Sequence, residues 1–227
     1  MGFFQRGRVA AGTRRARGNR RFEAGVEGME SRRVLSGSGA SIFLAGSMIE
    51  VVGSNLGDTG VVSLQNGMVD VKVSNAQGSD DVTFPTSQVG TIMYYGGSGS
   101  NTFTNATSLT GYLFGGSGNN VLNGGSGSDF LLATSGGTNV LNAGSGSETL
   151  EAIGTGTNYL NGGSGYDTMY AFAGVNHIAG GSGSSFILAL GGQNTIDGGP
   201  GYSIVYSFSS KDVITPRDHE TIVHVGY

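Results

Sequence analysis

Apolar residues recur at a fixed interval through the middle of the chain, in two interleaved series. In the first series an asparagine is followed two residues later by an apolar residue, and successive asparagines are 19, 19, 19, 18 and 18 residues apart. Its apolar members are Phe103, Leu122, Leu141, Leu160, Ile178 and Ile196. The second series has the same spacings, and its apolar members are Tyr112, Leu131, Leu150, Met169, Ile187 and Val205. Two series with one common period indicate a repeat architecture.

Each half of the period is a glycine-rich turn followed by a few residues, enough for one short strand. Because side chains alternate between the two faces of a strand, one apolar residue per strand points inward. Glycine supplies the positive-φ positions of the turns at no steric cost. The period therefore predicts an all-β fold over residues 91–208, a two-sheeted parallel β-solenoid of the β-roll kind with about six coils of 18–19 residues.

The sequence on either side of residues 91–208 departs from this period. Residues 37–90 alternate apolar and polar positions in "SIFLAGSMIEVVG" and "GVVSLQNGMVDVKVS", which predicts β-hairpins that cap the first coil. The stretch "GSDDVTF" (78–84) is expected to form an earlier, less regular turn. We expect residues 209–227 to cap the last coil and residues 1–36 to form a basic, disordered leader.

Composition and charge exclude several classes of protein. Glycine accounts for 44 of the 227 residues, but only 3 are proline and no three-residue period exists, which excludes collagen. Cysteine is absent, so no disulfide framework supports the fold. Residues 1–33 hold nine of the twelve basic residues, which leaves 3 basic and 13 acidic residues in 34–227. An acidic body does not suit a nucleic-acid groove, and no apolar run is long enough to span a membrane.

The half-repeats themselves carry a recognisable pattern. "GGSGSDFLL" (124–132), "GGSGYDTMY" (162–170) and "AGSGSETLE" (143–151) resemble the RTX (repeats-in-toxin) nonapeptide G-G-x-G-x-D-x-U-x, in which U is apolar. The resemblance implies that acidic residues of successive turns, with turn carbonyls, hold Ca²⁺ between coils. Carried over to this chain, the implied ligands are Asp129, Glu148 and Asp167. Ser185 and Ser203 occupy the same position in later turns and lack a carboxylate.

The column Asp129–Glu148–Asp167 has two readings. Unit charges about 5 Å apart repel each other by about 3 kcal/mol at an effective dielectric constant of about 20. Either the side chains extend into solvent, or a cation lies between them. Our hypothesis is that one or two weak calcium sites flank Glu148.

The other edge of the solenoid carries asparagine in place of aspartate. A neutral amide edge suits calcium poorly, because carboxylates provide most of the charge in calcium sites. Identical asparagines stacked at the strand spacing instead form amide ladders. We expect such a ladder along the first series, and a second, shorter one through Asn123, Asn142 and Asn161.

The segment "RRFEAGVEGMESRRVLSGSG" (20–39) is similar to the N-terminal segments of many planctomycete surface or secreted proteins. The matching positions are Phe22, Glu23, Glu30, Arg32, Leu35 and Ser36. The resemblance implies export, and hence an extracellular or cell-surface location, although the chain has no standard signal peptide.

No arrangement of residues points to catalysis. "HETIVH" (219–224) spaces its histidines by five residues, so a zinc-protease helix is excluded, and its β-branched residues favour a strand. An enzyme acting on anionic polysaccharide needs basic groups, and residues 91–208 contain no lysine or arginine. We therefore expect a non-enzymatic structural module, with a carbohydrate-active enzyme as the less favoured alternative.

The strands of the second series are apolar on the side that should face outward. The outward residues include Phe130, Leu132, Tyr170, Phe186, Leu188, Ile204 and Tyr206. A row this apolar rarely remains uncovered on a soluble monomer. Either the N-terminal strands or the C-terminal segment cover it, or it serves adhesion or self-association.

Overall fold

The computed structural model describes residues 22–23, 32–35, 38–134 and 136–225, whose strands form two eleven-stranded sheets. Sheet A contains β1 (Phe22–Glu23), β5 (Thr59–Gln65), β6 (Met68–Asn75), β7 (Gly78–Pro85), β9 (Asn101–Ala106), β11 (Asn120–Asn123), β13 (Thr138–Asn142), β15 (Thr157–Asn161), β17 (Val175–Ala179), β19 (Gln193–Asp197) and β21 (Val213–Thr215). Sheet B contains β2 (Arg32–Leu35), β3 (Ser41–Ala45), β4 (Met48–Val52), β8 (Thr91–Tyr95), β10 (Thr110–Phe114), β12 (Phe130–Ala133), β14 (Thr149–Ala152), β16 (Tyr166–Ala171), β18 (Ser184–Ala189), β20 (Ser203–Ser207) and β22 (Glu220–His224). A short 3₁₀ helix, Thr86–Gln88, precedes β8.

From β8 onward the chain alternates between the two sheets, and each strand from β8 to β20 pairs in parallel with a neighbour on both sides. This is the predicted two-sheeted parallel β-solenoid. It has seven turns, from β8 with β9 to β20 with β21, against the about six expected. The difference arises because residues 209–224, expected as a cap, contribute β21 and β22 in the same parallel register.

The core is a pair of apolar columns, one from each sheet. In sheet A, Leu122 pairs with Leu141 and Leu141 with Leu160, and all three side chains are completely buried. In sheet B, Leu131 and Leu150 occupy equivalent adjacent positions and are also completely buried. The predicted inward series is therefore confirmed through the regular part of the solenoid. Each coil contributes one large apolar side chain from each sheet.

One member of the predicted inward series is wrong. Tyr112 faces outward and is 41% exposed, whereas Leu113 is completely buried and pairs with Leu131. The interval between these equivalent residues is 18, not the 19 that placed Tyr112 in the series. Two adjacent apolar residues satisfy the pattern equally well, and a shift of one residue exchanges the two faces of a strand.

The strands before β8 prolong both sheets. In sheet B, β3 and β4 form a hairpin, and β4 pairs in parallel with β8. In sheet A, β5, β6 and β7 form an antiparallel meander, and β5 pairs in parallel with β9. The hairpins at this end are thus as predicted, but the expected turn at residues 78–84 is wrong. That stretch lies in β7, because its alternating apolar residues continue the meander.

Segments β1 and β2 lie within the predicted leader; the other residues of 1–37, with most of the segment compared to planctomycete proteins, lie outside the described residues.

The glycine turns stack as closely as the strands do. A Cβ atom built on Gly165 would overlap the carbonyl oxygen of Gly146 in the preceding coil. Gly163, in the same turn, has a φ of 85°, which side chains rarely adopt. Glycine is therefore needed here for two separate reasons, and the close stacking holds the neighbouring acidic side chains against backbone.

Candidate metal centre

The acidic residues of the second series lie one above another where the chain enters sheet B. The backbone N–H of Thr149 donates to the carbonyl oxygen of Asp129 at 2.9 Å, and that of Thr168 to Glu148 at 2.8 Å, which keeps successive coils in register. The side chains of Asp129, Glu148 and Asp167 are only 3%, 2% and 0% exposed. The reading in which these acids extend into solvent is therefore wrong. They point inward because they alternate with outward residues of the following strand.

Both carboxylate oxygens of Asp129 accept hydrogen bonds from within the fold. Its Oδ1 accepts hydrogen bonds from the backbone N–H of Gly111 at 2.6 Å and from Nδ2 of Asn105 at 2.9 Å. Its Oδ2 accepts from the N–H of Gly125, in its own turn, at 2.7 Å. Burial raises the pKa of Asp129, and the bond from Gly125 partly opposes that shift. The carboxylate joins two consecutive coils through donors that the backbone already provides.

Glu148 and Asp167, by contrast, lack hydrogen-bond partners for most of their carboxylate oxygens. Both carboxylate oxygens of Glu148 and Oδ2 of Asp167 are buried without a hydrogen-bond partner, while Oδ1 of Asp167 accepts from the N–H of Glu148 at 3.2 Å. Residues 91–208 contain no lysine or arginine to neutralise the pair. Buried charges without a partner are strongly disfavoured, so the pair must take up a proton or a cation.

The titration of the pair reflects this shortage of partners. Burial raises the pKa of Glu148 to about 8, and the close carboxylate of Asp167 and the charge of Asp129 add to the shift. Burial also raises the pKa of Asp167, although its contact with Glu148 acts in the opposite direction. Without a bound cation, Glu148 therefore holds a proton near neutral pH.

The donor atoms of this pair fit calcium, which is a hard ion bound by six to eight oxygens, chiefly from carboxylates and carbonyls. Glu148 and Asp167 would hold the ion, and their two charges would balance its own. Among the described residues no three histidine, cysteine or acidic side chains converge into a metal-binding group. The remaining ligands would therefore be carbonyl oxygens or water. Asp129, with its oxygens already occupied, is the least suited of the three predicted ligands.

After Asp167, serine replaces the acidic residue at the next two positions of the column. The hydroxyls of Ser185 and Ser203 donate to the turn carbonyls of Gly180 and Gly198 at 2.8 and 2.7 Å, so these turns close without an ion. Glu220 follows Ser203 in the column and was missed from sequence. One of its carboxylate oxygens is buried without a partner, and burial raises its pKa. It lies 17 residues after Ser203, one fewer than the shortest interval of the series, so extending the period would not have located it.

The asparagine edge is a continuous ladder, as predicted. Each Nδ2 donates to Oδ1 of the asparagine one coil later, from Asn101 through Asn120, Asn139, Asn158 and Asn176 to Asn194, at 2.8–3.0 Å. These side chains are almost completely buried. The second ladder is also present and runs the other way, from Asn161 to Asn142 and from Asn142 to Asn123, at 2.7 Å for both bonds.

Both ends of the long ladder carry an aspartate that sequence reasoning missed. Nδ2 of Asn194 donates to Oδ1 of Asp212 at 2.8 Å, and at the other end the N–H of Asp58 donates to Oδ1 of Asn101 at 3.0 Å. Asp212 follows Asn194 by the usual 18 residues, so the same period could have located it. An acceptor-only carboxylate suits the end at which the last amide N–H points outward.

Comparison with known proteins supports this description. The family model of the RTX calcium-binding nonapeptide repeat (4 copies) matches residues 109–136, 153–187 and 170–205. These ranges include Asp129 and Asp167, while Glu148 falls between them. No curated protein and no solved structure gives a match. Within the described residues, no helix has the length and apolar character needed to cross a membrane. Over these ranges the solenoid is therefore similar to the RTX calcium-binding nonapeptide repeat.

Proposed function

We propose that this chain is a non-enzymatic structural module of the cell surface or extracellular space, whose solenoid is stiffened by calcium bound between Glu148 and Asp167. The observation that carries the proposal is the set of three buried carboxylate oxygens without partners in a region that has no basic side chain. A divalent cation would join two consecutive coils and replace the proton held by Glu148.

The family match supports calcium as the ion, and the acidic column supports this pair of residues as its place. RTX repeats are usually found in secreted proteins, and extracellular calcium is abundant enough to fill sites of modest affinity. Since the charge available is that of two carboxylates, we expect weak binding. Asp129 then contributes rigidity to the preceding coil and no bond to the ion.

One arrangement at the C-terminal end invites comparison with a hydrolase and argues against one. The hydroxyl of Ser207 donates to Oδ2 of Asp212 at 2.6 Å and lies 2.9 Å from Nδ1 of His224. A nucleophilic serine needs its proton directed at the histidine and its oxygen open to substrate. Ser207 is completely buried and gives its proton to the carboxylate. The arrangement stabilises the last coils and supports a structural role.

Thermal unfolding with calcium and with chelator tests the metal site. We expect millimolar calcium to raise the melting temperature of the full chain by several degrees, since about 1 kcal/mol corresponds to about 2–4 °C at this size. Glu148→Gln should abolish the shift. Glu151→Gln, three residues later on the outward side of β14, should keep it.

Isothermal titration of the same three proteins separates binding from its effect on stability. The site is absent if wild type takes up no calcium at millimolar concentration, or if Glu148→Gln and wild type bind it equally. Fractionation of the native cells tests the location separately: the protein should appear in the surface or secreted fraction, and recovery only from inside the cells contradicts this part of the proposal.

A further inference from the structure

The outer face of sheet B is wider and more apolar than the sequence suggested. Beyond the predicted rows of Phe130, Leu132, Tyr170, Phe186, Leu188 and Tyr206, a third row runs along the far edge of the sheet. It consists of Ile153, Phe172, Leu190, Phe208 and Val225, which are 39–44% exposed. Each backbone N–H in this row bonds to the preceding coil, so the five side chains are held one per coil. We call these three rows together the sheet B face.

The described strands leave this face open. The N-terminal strands β3 to β7 and the C-terminal strands β21 and β22 prolong the two sheets from end to end, and none of the segments that the structure describes lies over the sheet B face. The aromatic rings on it pack against each other along the solenoid axis, as with Tyr95 and Phe114, whose centroids are 5.1 Å apart. These outward rings are thus already packed against one another in the single chain.

We propose that the sheet B face binds the same face of a second copy of this chain, forming a twofold dimer with antiparallel solenoid axes. Eight strands about 4.8 Å apart, each presenting about 17 Å of length, give about 650 Å² of face. A stable interface of standard size buries about 800 Å² per partner, so the whole face is needed and is nearly sufficient. Two copies also present side-chain rows of identical spacing, which allows the rows to interdigitate.

Charge decides the relative orientation of the two copies. Among the described strands of sheet B from β8 to β22, Glu151 is the one charged residue at an outward position, and it lies in the middle row near the centre. With parallel axes, a twofold dimer would place Glu151 against Glu151. With antiparallel axes, Glu151 faces Tyr170 of the second copy, since these residues occupy adjacent strands on either side of the centre. The Tyr170 hydroxyl is then a donor for the carboxylate.

The same charges disfavour other occupants. A lipid surface attracts proteins through lysine and arginine beside the apolar residues, and the described part of this face has none. The body of the protein, residues 34–227, has a balance of −10 from 3 basic and 13 acidic residues, so an anionic membrane repels it. A second copy carries the same net charge, but among the described residues of the three rows Glu151 is the one charged side chain, so the repelling charges lie outside the contact.

Sedimentation velocity of the full chain over a wide concentration range tests the association. We expect a reversible dimer, and Leu190→Glu should raise its dissociation constant at least about tenfold. Val175→Glu is the matched control: Val175 is 40% exposed on the outer face of sheet A, against 42% for Leu190, and its replacement should leave the dimer unchanged. Circular dichroism establishes that both variants fold.

Cysteine cross-linking tests the orientation, because the wild-type chain has no cysteine. A mixture of the single variants Glu151→Cys and Tyr170→Cys should give an oxidised heterodimer, whereas Glu151→Cys alone should not cross-link efficiently. A monomer at all concentrations, equal effects of Leu190→Glu and Val175→Glu, or dominant cross-linking of Glu151→Cys to itself would each overturn the proposal. So would a monomer whose face is covered by residues 1–37, or one that binds neutral lipid vesicles through Leu190.

Discussion

At the scale of single residues, similar side chains in one column have different roles according to the partners that the backbone supplies. Asp129 accepts three hydrogen bonds and completes the fold as a carboxylate, whereas Glu148, one coil later, has no donor for either oxygen. Position in the repeat fixed the burial of both residues. The available N–H groups decided which of them needs a proton or an ion.

The raised pKa of Glu148 makes stability depend on pH in a defined direction. Its value of about 8 in the folded protein lies above the ordinary 4.5, so between these values the folded state binds a proton that the unfolded state has lost. The contribution of this group to the free energy of unfolding is therefore fully present below pH 4.5. It is lost as the pH rises from 4.5 through 8, by at most about 1.4 kcal/mol per pH unit. Burial of Asp129 and Asp167 acts in the same direction.

Urea unfolding in chelator at pH 5, 6.5 and 8 measures this dependence, and wild type should lose stability at each step. Glu148→Gln has no titrating group at this position, so its stability should change less with pH. Calcium should likewise reduce the pH dependence of wild-type stability, because it replaces the proton on Glu148. Parallel profiles for wild type and Glu148→Gln in chelator would show that this residue is not the cause.

At the scale of the strands, the two asparagine ladders provide the same bond in different surroundings. Asn139, in the long ladder, is completely buried and bonds to asparagines on both sides; Asn142, in the short ladder, is half-buried. A buried polar group that loses its partner incurs its full desolvation cost, while a group near the surface replaces the partner with water.

We therefore expect Asn139→Ala to be much more destabilising than Asn142→Ala. The first change removes the donor to Oδ1 of Asn158 and the nearest acceptor of Nδ2 of Asn120, which keeps only its longer bonds to the carbonyls of Gly116 and Gly118, at about 1–3 kcal/mol for each buried partner lost. The second should cost about 1 kcal/mol or less. Denaturant unfolding of the two variants gives the comparison directly. Equal losses would mean that the long ladder contributes no more than an exposed hydrogen bond.

At the scale of the whole molecule, each coil contacts chiefly its two neighbours, so stability is a sum of coil and interface contributions. The end coils have one neighbour each; Val213 in β21 is 60% exposed and Ile222 in β22 is 36% exposed, although both sheets continue through them. The central coils have neighbours on both sides and a completely buried core.

Hydrogen exchange should show this gradient. We expect the slowest exchange in β11 to β17 and the fastest in β21 and β22, because local opening is easiest where one interface is missing. Calcium should slow exchange most in β14 and β16, the strands that follow Glu148 and carry Asp167. Uniform protection along the chain, or a calcium effect spread evenly over all coils, would contradict this expectation.

The sequence could predict the features that depend on the repeat period, but not which way each individual side chain points. The leucine columns were predictable because burial requires an apolar residue at a constant interval. The choice of Leu113 over Tyr112 was not, because glycine turns accommodate intervals of both 18 and 19 residues. The inward direction of Glu148 was hidden as well, since its charge favours solvent and only the enclosing turn keeps it inside. Asp58, Asp212 and Glu220 were missed because they lie in coils that lack the glycine pattern.

The long ladder has a direction, and that has a consequence for how such a chain can change in length. Every asparagine receives from the coil before it and gives to the coil after it, so a copied block of 18 residues inserted between two coils meets the correct atoms on both sides. Asp58 and Asp212 remain at the two ends whatever the number of coils between them. Gene duplication can therefore lengthen the protein by whole coils without redesigning either end, whereas an insertion of part of a coil interrupts the ladder.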